Sequence, residues 1–328
     1  MCHTESAGTA PLVSVVIPAY RAAQSIPATL DSVLAQSFTH HEIIVVNDGS
    51  PDTPELEAVL EAYRDRIVYL CQENQGPSGA RNTGIRVARG AYVALLDADD
   101  TWDPEHLAAQ LAVLEGDPTI QMVYADARIV GDVPEAGRSV MEFCPSSGEV
   151  TFERLVALEC TVHLCVSVCR REALVRAGLF DPAFRHAEDV DVWLRIARQG
   201  GRIAYQRRVL GSYRRQPGSL SADRVAMLEG FLAVLAKAAR DPDLTNAQRE
   251  AVEHQSVAER ANLELQKGKR AFLAGDSKGA VQHLTRANAE HRSLKLAGAL
   301  MLLRMAPGIL RALYQWRDRH VYKLKTQP

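Results

Sequence analysis

Three carboxylates fall within four residues, Asp97-Ala98-Asp99-Asp100, directly after an apolar run, Ala91-Tyr92-Val93-Ala94-Leu95-Leu96. The run reads as a buried strand, and side chains alternate along an extended segment, so Asp97 and Asp99 share a face. Two hard oxygen donors placed this way suit Mg²⁺ or Mn²⁺ rather than a soft metal, and such an ion in turn holds a diphosphate. Two more strand ends carry polar groups: Pro18-Ala19-Tyr20-Arg21 and Asn47-Asp48-Gly49-Ser50. Singly, these are a packing aromatic, a turn and a solvated cap. Together they supply a ring that stacks on a base, a carboxylate that accepts from a nucleobase N–H and a metal-binding acid pair, which is a nucleotide-diphosphate site.

Such groups work together only if the fold brings successive strand ends to one edge, as open α/β sheets do. The sequence alternates accordingly. Strands are expected at 12–17, 42–46, 67–71, 91–96 and 122–125, and helices at 26–36, 54–63, 76–89 and 104–115. Ile26, Leu30, Val33 and Leu34 mark helical periodicity. Strand and helix in alternation call for a mainly parallel sheet covered by helices. From 131 to 149 the pattern lapses into Gly, Pro and Ser, which reads as an irregular insertion. It resumes with a strand at 162–169, a short helix at 170–177 ended by Gly178, and a helix at 190–199. Beyond about residue 222 the chain is rich in Ala, Leu, Arg and Glu and helical in period.

Composition narrows the function classes. The chain has 328 residues and a formal net charge of −2, with a pI near 6.6, so it lacks the cationic field of a dedicated nucleic-acid binder. Six cysteines are too few and too scattered to staple this length, and the first residues show no basic-then-apolar leader. A reducing, cytoplasmic location is expected. Cys160, His163, Cys165 and Cys169 lack any Cys-x-x-Cys pair and read as buried thiols with a neighbouring histidine rather than a zinc site. No glycine occurs between Pro18 and Gly49, which excludes the Gly-rich turn of a dinucleotide-binding dehydrogenase, and no G-x-x-x-x-G-K-[ST] loop exists.

Four stretches in order carry a family resemblance: Val13-Ser14-Val15-Val16-Ile17-Pro18-Ala19-Tyr20, Glu42-Ile43-Ile44-Val45-Val46-Asn47-Asp48-Gly49-Ser50, Asn74-Gln75-Gly76-Pro77-Ser78-Gly79-Ala80-Arg81-Asn82 and the Asp97 stretch. From about 13 to 221 the chain resembles glycosyltransferase family 2, whose members are inverting transferases. The resemblance implies an α/β GT-A fold, Rossmann-like with a mainly parallel sheet flanked by helices, over 11–222. An all-α extension follows at 223–328, and a disordered N-terminus at 1–10 precedes it. It also implies that Ala19, Tyr20 and Asp48 hold base and ribose, that Asp97 contacts ribose or sugar, and that Asp99 ligates Mg²⁺ or Mn²⁺ with Asp97 beside it. Pro18, Gly76 and Arg214 join the donor-binding set, and Arg81 braces the acids.

The family's base comes from a Glu-Asp pair before a helix bearing a Trp, matched by Glu188-Asp189-Val190-Asp191-Val192-Trp193. Asp189 is assigned as general base and Glu188 as the lesser candidate. Further on, Tyr213-Arg214-Arg215-Gln216 has Gln216 where the family commonly has His. The implied activity is transfer of a sugar from a UDP- or dTDP-linked donor to a hydroxyl of a glycan or lipid-linked acceptor, as in cell-surface polysaccharide biosynthesis. The alternative is a catalytically impaired domain that binds sugar nucleotides or acts as a scaffold.

In the extension, Gly268, Gly275, Ala280, Leu284 and Ala287 fit either a single tetratricopeptide-like helical pair or an ordinary helical hairpin. Near the end, an apolar run at 296–303 is followed by Arg304, Arg311, Arg317, Arg319, Lys323 and Lys325 against Asp318 alone. Pro307 and Arg304 interrupt it before the roughly 20 residues that a spanning helix needs. The tail therefore either packs on the protein's own helices or lies on an anionic inner membrane face.

Overall fold

The computed structural model describes residues 10–216, 219, 222–310 and 312, divided into two compact units between residues 217 and 218. Of residues 1–10, where a disordered N-terminus is expected, residues 1–9 lie outside the described part.

In the first unit, β1 (Val13–Ala19), β2 (His41–Asp48), β3 (Val68–Gln72) and β4 (Tyr92–Leu95) pair in parallel in the order β3-β2-β1-β4. Their Val, Ile and Leu side chains are buried on both faces at the centre, as parallel strands require when helices cover them. The crossovers are α1 (Ile26–Leu34), α2 (Thr53–Leu60) and α3 (Gly76–Val87). Register sets the functional edge: Ala19 at the end of β1 lies opposite Asn47 of β2, while β4 ends at Leu95 opposite Val16, so the Asp97 turn begins beside the last residues of β1.

The sheet continues through β5 (Thr101–Trp102), β6 (Ile120–Val130), β7 (Ser167–Arg170) and β8 (Arg202–Arg214) to the full order β3-β2-β1-β4-β7-β6-β8-β5. Pairings of β7 with β4 and β6, and of β5 with β8, are antiparallel, while β6 and β8 run parallel. Helices α4 (His106–Gly116), α5 (Phe152–Val156), α6 (Arg171–Arg176) and α7 (Glu188–Arg198) complete the unit. Two segments depart most from the sequence pattern. The thirteen-residue β8 carries Arg at four positions and pairs with β6 through register shifts, so it lacks a clean alternation. The strand expected at 162–169 is instead a 3₁₀ turn, Leu164–Val166, leading into the shorter β7.

Helix α3 packs against β1 and β2 through Gly84, where a Cβ would stand 2.5 Å from Val16 Cγ1 and 3.4 Å from Val46 Cγ2. Both valines are fully buried. Gly84→Ala is therefore expected to destabilise the fold by about 1–3 kcal/mol through overpacking, measurable as a lower urea midpoint at unchanged m value.

The second unit holds α8 (Arg224–Ala238), α9 (Asn246–Leu273), α10 (Ser277–His291) and α11 (Leu294–Met305). Asp223, Thr245, Asp276 and Ser293 each cap a helix N-terminus through a side-chain oxygen. Gly275 makes the turn between α9 and α10 at φ +90°, and Gly268 lets Leu284 approach α9 closely. Phe272, Ala280, Leu284, Leu300 and Leu303 form the core of this unit.

Candidate active site

Strand β1 delivers Pro18 and Ala19 to the edge and leaves Tyr20 48% exposed, with the Arg21 guanidinium 5.6 Å from its ring centroid. An exposed ring at a strand end is available for stacking on a base. At the end of β2, Asp48 is buried, and its Oδ1 accepts from Gln72 Nε2 at 2.7 Å and from the Gln75 N–H at 2.8 Å. These bonds fix the carboxylate while Oδ2 stays outside them. Gly49 turns the chain at φ +61°, where a Cβ would stand 2.7 Å from Asn74 N. Gly76 opens α3 at φ +75°, which only glycine adopts without strain.

The acids after β4 fall into different roles. The Asp100 N–H donates to Asp97 O at 3.1 Å, which closes a tight turn. Asp100 itself is 1% exposed; its Oδ1 accepts from the Arg214 N–H at 2.7 Å, and Thr29 Oγ1 donates to its carbonyl at 2.8 Å. It is a structural lock, and burial, with the charges of Asp97 and Asp99, pushes its carboxyl well up. Asp97 Oδ1 accepts from Arg81 Nη2 at 2.7 Å. Burial, then the Asp97 charge, pushes Asp99 up to about 6. Such a pair fits a divalent ion, whose charge would offset both the burial and the mutual repulsion. No group of three or more metal-ligating side chains gathers among the described residues. The protein's share of a coordination sphere is thus a carboxylate pair, the arrangement Mg²⁺ takes when a diphosphate supplies the rest.

Arg81 joins the two halves of the site. From α3 its Nη2 holds Asp97, and its Nη1 holds Glu188 Oε1 at 2.7 Å. The guanidinium is almost wholly buried, with the Phe180 ring 5.5 Å away. Next to it, Asn82 exchanges two bonds with the Phe180 backbone, at 2.7 and 2.9 Å, and Ser78 Oγ donates to Phe184 O at 3.3 Å. One helix therefore fixes both the acid turn and the loop leading to Glu188 and Asp189. Sequence reasoning gave Asn82, Ser78 and Phe180 no role. The available signal was Asn82 itself, a poor helix former standing in mid-helix with no exposed face to occupy.

Glu188 and Asp189 sit in the first turn of α7, after Ala187 in a left-handed conformation. Glu188 is ion-paired, whereas Asp189 accepts from the Val190 N–H at 2.8 Å. Burial, then the neighbouring Glu188 charge, raises Asp189 to about 7, against the opposing pull of that N–H and Arg81. Arg214 stands at the acid turn, its Nε donating to Asp99 O at 3.1 Å. Arg215 faces Glu135 at 3.6 Å instead, and Gln216 is exposed. His163, lying edge-on to Tyr213 and held down to about 4 by burial, is neutral beside the site. It feels the charges of Asp97 and Asp126. The free cysteines form no metal cluster among the described residues.

Comparisons with known proteins bear on the family and the fold. Residues 14–174 match the model of the family described as glycosyl transferase family 2. An uncharacterized glycosyltransferase of Rickettsia felis is 33% identical over 193 residues, 57% of this chain and 32% of that protein; across its Rickettsia relatives the chain spans 28% to 59% of their length. The UDP-Glc:alpha-D-GlcNAc-diphosphoundecaprenol beta-1,3-glucosyltransferase WfgD of Escherichia coli is 30% identical over 70% of this chain and 88% of its own length. Among solved structures, the mannosyltransferase PcManGT of Pyrobaculum calidifontis, in complex with GDP-Man and Mn²⁺, superposes with a TM-score of 0.61 at 23% identity. That match covers 96% of this chain and 86% of PcManGT and shows a shared fold.

Proposed function

The chain belongs to glycosyltransferase family 2, and from that premise we propose that it is a metal-dependent inverting transferase. It moves a sugar from a UDP- or dTDP-linked donor to a hydroxyl of a glycan or lipid-linked acceptor in polysaccharide biosynthesis. WfgD, by its name, uses a UDP-sugar and a diphosphoundecaprenol-linked acceptor, which supports both classes. Tyr20 stacks on the base, Asp48 accepts from it, and Asp97 meets the ribose or sugar. Pro18, Ala19 and Gly76 shape the backbone around the nucleotide, and Arg214 holds the acid turn from the other side.

The observation that carries this reading is the split between two adjacent acids. Arg81 keeps Glu188 as an ion pair, while Asp189 is pushed up to about 7. A buried carboxyl raised toward neutrality, beside one held by a guanidinium, is suited to take a proton near pH 7. Asp189, rather than Glu188, takes the proton from the acceptor hydroxyl as its oxygen attacks the anomeric carbon from the face opposite the departing diphosphate. Asp99 and Asp97 would hold Mg²⁺ or Mn²⁺, which when bound would supply charge compensation to that leaving group.

Asp99→Asn is expected to weaken Mn²⁺-dependent binding of the nucleoside diphosphate, because a neutral amide removes charge from a hard-cation site. Calorimetric titration with UDP checks this, and unchanged affinity in Mn²⁺ removes Asp99 from the site. One observation favours a second reading, a sugar-nucleotide-binding scaffold: Gln216 is a poorer metal or phosphate partner than imidazole. Donor hydrolysis or transfer by the wild-type chain eliminates it.

A further inference from the structure

We propose that the outward face of α11 is a docking surface for an anionic lipid bilayer. Leu300 and Leu303 turn inward to the core of the helical unit. The opposite side is also apolar: Leu294 is 90% exposed, Met301 63% and Met305 74%, and beyond the helix end Ile309 is 60% exposed. At 100° per residue, 294, 298, 301 and 305 fall within an arc of about 60°. Nothing charged stands in that arc, and Lys295 and Arg304, both exposed, border it on either side. A helix that is apolar all round is expected to be covered all round, yet within its unit only one side of α11 is.

Charge identifies what covers it. From Arg292 to the end the sequence holds eight Lys and Arg against one acid, Asp318, together with Tyr314, Trp316 and Tyr322. Residues 311 and 313–328 lie outside the described part, and they enter here through sequence alone. Apolar residues bordered by cations, with aromatics nearby, match the interface of a bilayer carrying acidic headgroups. A second copy of this chain fits less well, because a two-fold contact on the same face would set Arg304 and Lys295 against their own like charges. The surface lies on the membrane and does not enter it, since no described helix is long and apolar enough to cross. A cleft between α10 and α11, lined by Thr285, Asn288, Leu300, Met301, Arg304 and Met305, opens beside this face. It offers Arg304 to a headgroup phosphate and apolar walls to an acyl chain.

The proposal rests on the helical unit alone and stands or falls separately from sugar transfer. The test is co-sedimentation of the full chain with vesicles of phosphatidylglycerol in phosphatidylcholine, and with phosphatidylcholine alone. The wild type is compared with a Met301→Glu, Met305→Glu double variant and with a Lys295→Gln, Arg304→Gln double variant. All four positions are exposed, so thermal melts are expected to coincide. Binding is expected only to the acidic vesicles, to fall as salt rises, and to drop about tenfold or more in the Glu variant, with a smaller loss in the Gln variant. Equal binding to both vesicle types, or equal binding by all three proteins, overturns the proposal. So does a wild-type dimer in sedimentation that the Glu variant abolishes, since it gives the face to a second copy.

Discussion

Asp189→Asn is expected to lower the rate of sugar transfer by about 10² to 10⁴, the usual worth of a general base, while leaving donor affinity within about twofold. The donor groups stand on β1, β2 and the turn after β4, whereas Asp189 opens α7. Because burial raises this carboxyl to about 7, the wild-type rate should climb with pH through a limb centred near that value, and the variant should lose the limb. Stability moves the opposite way. A carboxyl whose folded acidity is weaker than its unfolded one, 3.8, favours the folded state fully below about pH 4, and that contribution disappears as pH rises to about 7. The variant should therefore melt above the wild type at about pH 8, with the gap closing toward pH 4. If Glu188→Gln proves the more damaging change to turnover, the two acids exchange roles.

Arg81→Met carries the largest expected cost to the fold. Removing one partner from a buried ion pair leaves an uncompensated charge and typically costs about 3–5 kcal/mol. Here a single guanidinium compensates Asp97 and Glu188 together. Urea denaturation should show the loss directly. Arg81→Lys should recover part of it, since one ammonium restores the charge but has no planar fork to bond both carboxylates. Nucleotide binding in Mn²⁺ should fall in both variants, because Asp97 loses the bond that orients it. A Met variant within about 1 kcal/mol of wild type contradicts the clamp.

How far the sequence reached follows from the kind of signal each feature leaves. The parallel half was legible because buried strands are continuous runs of Val, Ile and Leu, and because α1 and α3 carry helical periodicity or glycine signals. Individual boundaries shifted by up to five residues. Helix α1 stops at Leu34, and β6 extends to Val130, because alternation fades where a strand passes beyond its covering helix. Strand β8 was invisible for a stronger reason: its exposed Arg side chains and its shifted pairing with β6 erase the two-residue period. In the site, the acids and Tyr20 stood out by type and position. The bond from Arg81 to Glu188 did not, since it spans 107 positions in the chain and no local pattern encodes such a distance. Asp100 shows the converse, an acid within the motif whose bonds to Arg214 and Thr29 give it to the turn rather than to a ligand.

The most direct test of a nucleotide-sugar site ordered around Asp97 and Asp99 is thermal unfolding of the full chain against a panel of nucleoside diphosphates, with and without Mn²⁺. A ligand that binds only the folded state stabilises it by about 2.7 kcal/mol at a hundredfold excess over its Kd, a shift of several degrees. UDP or dTDP is expected to raise the melting temperature in Mn²⁺, to do little without the ion, and to lose its effect in Asp99→Asn. A melting temperature that no diphosphate moves in Mn²⁺, or that moves equally in wild type and Asp99→Asn, contradicts this assignment of the site.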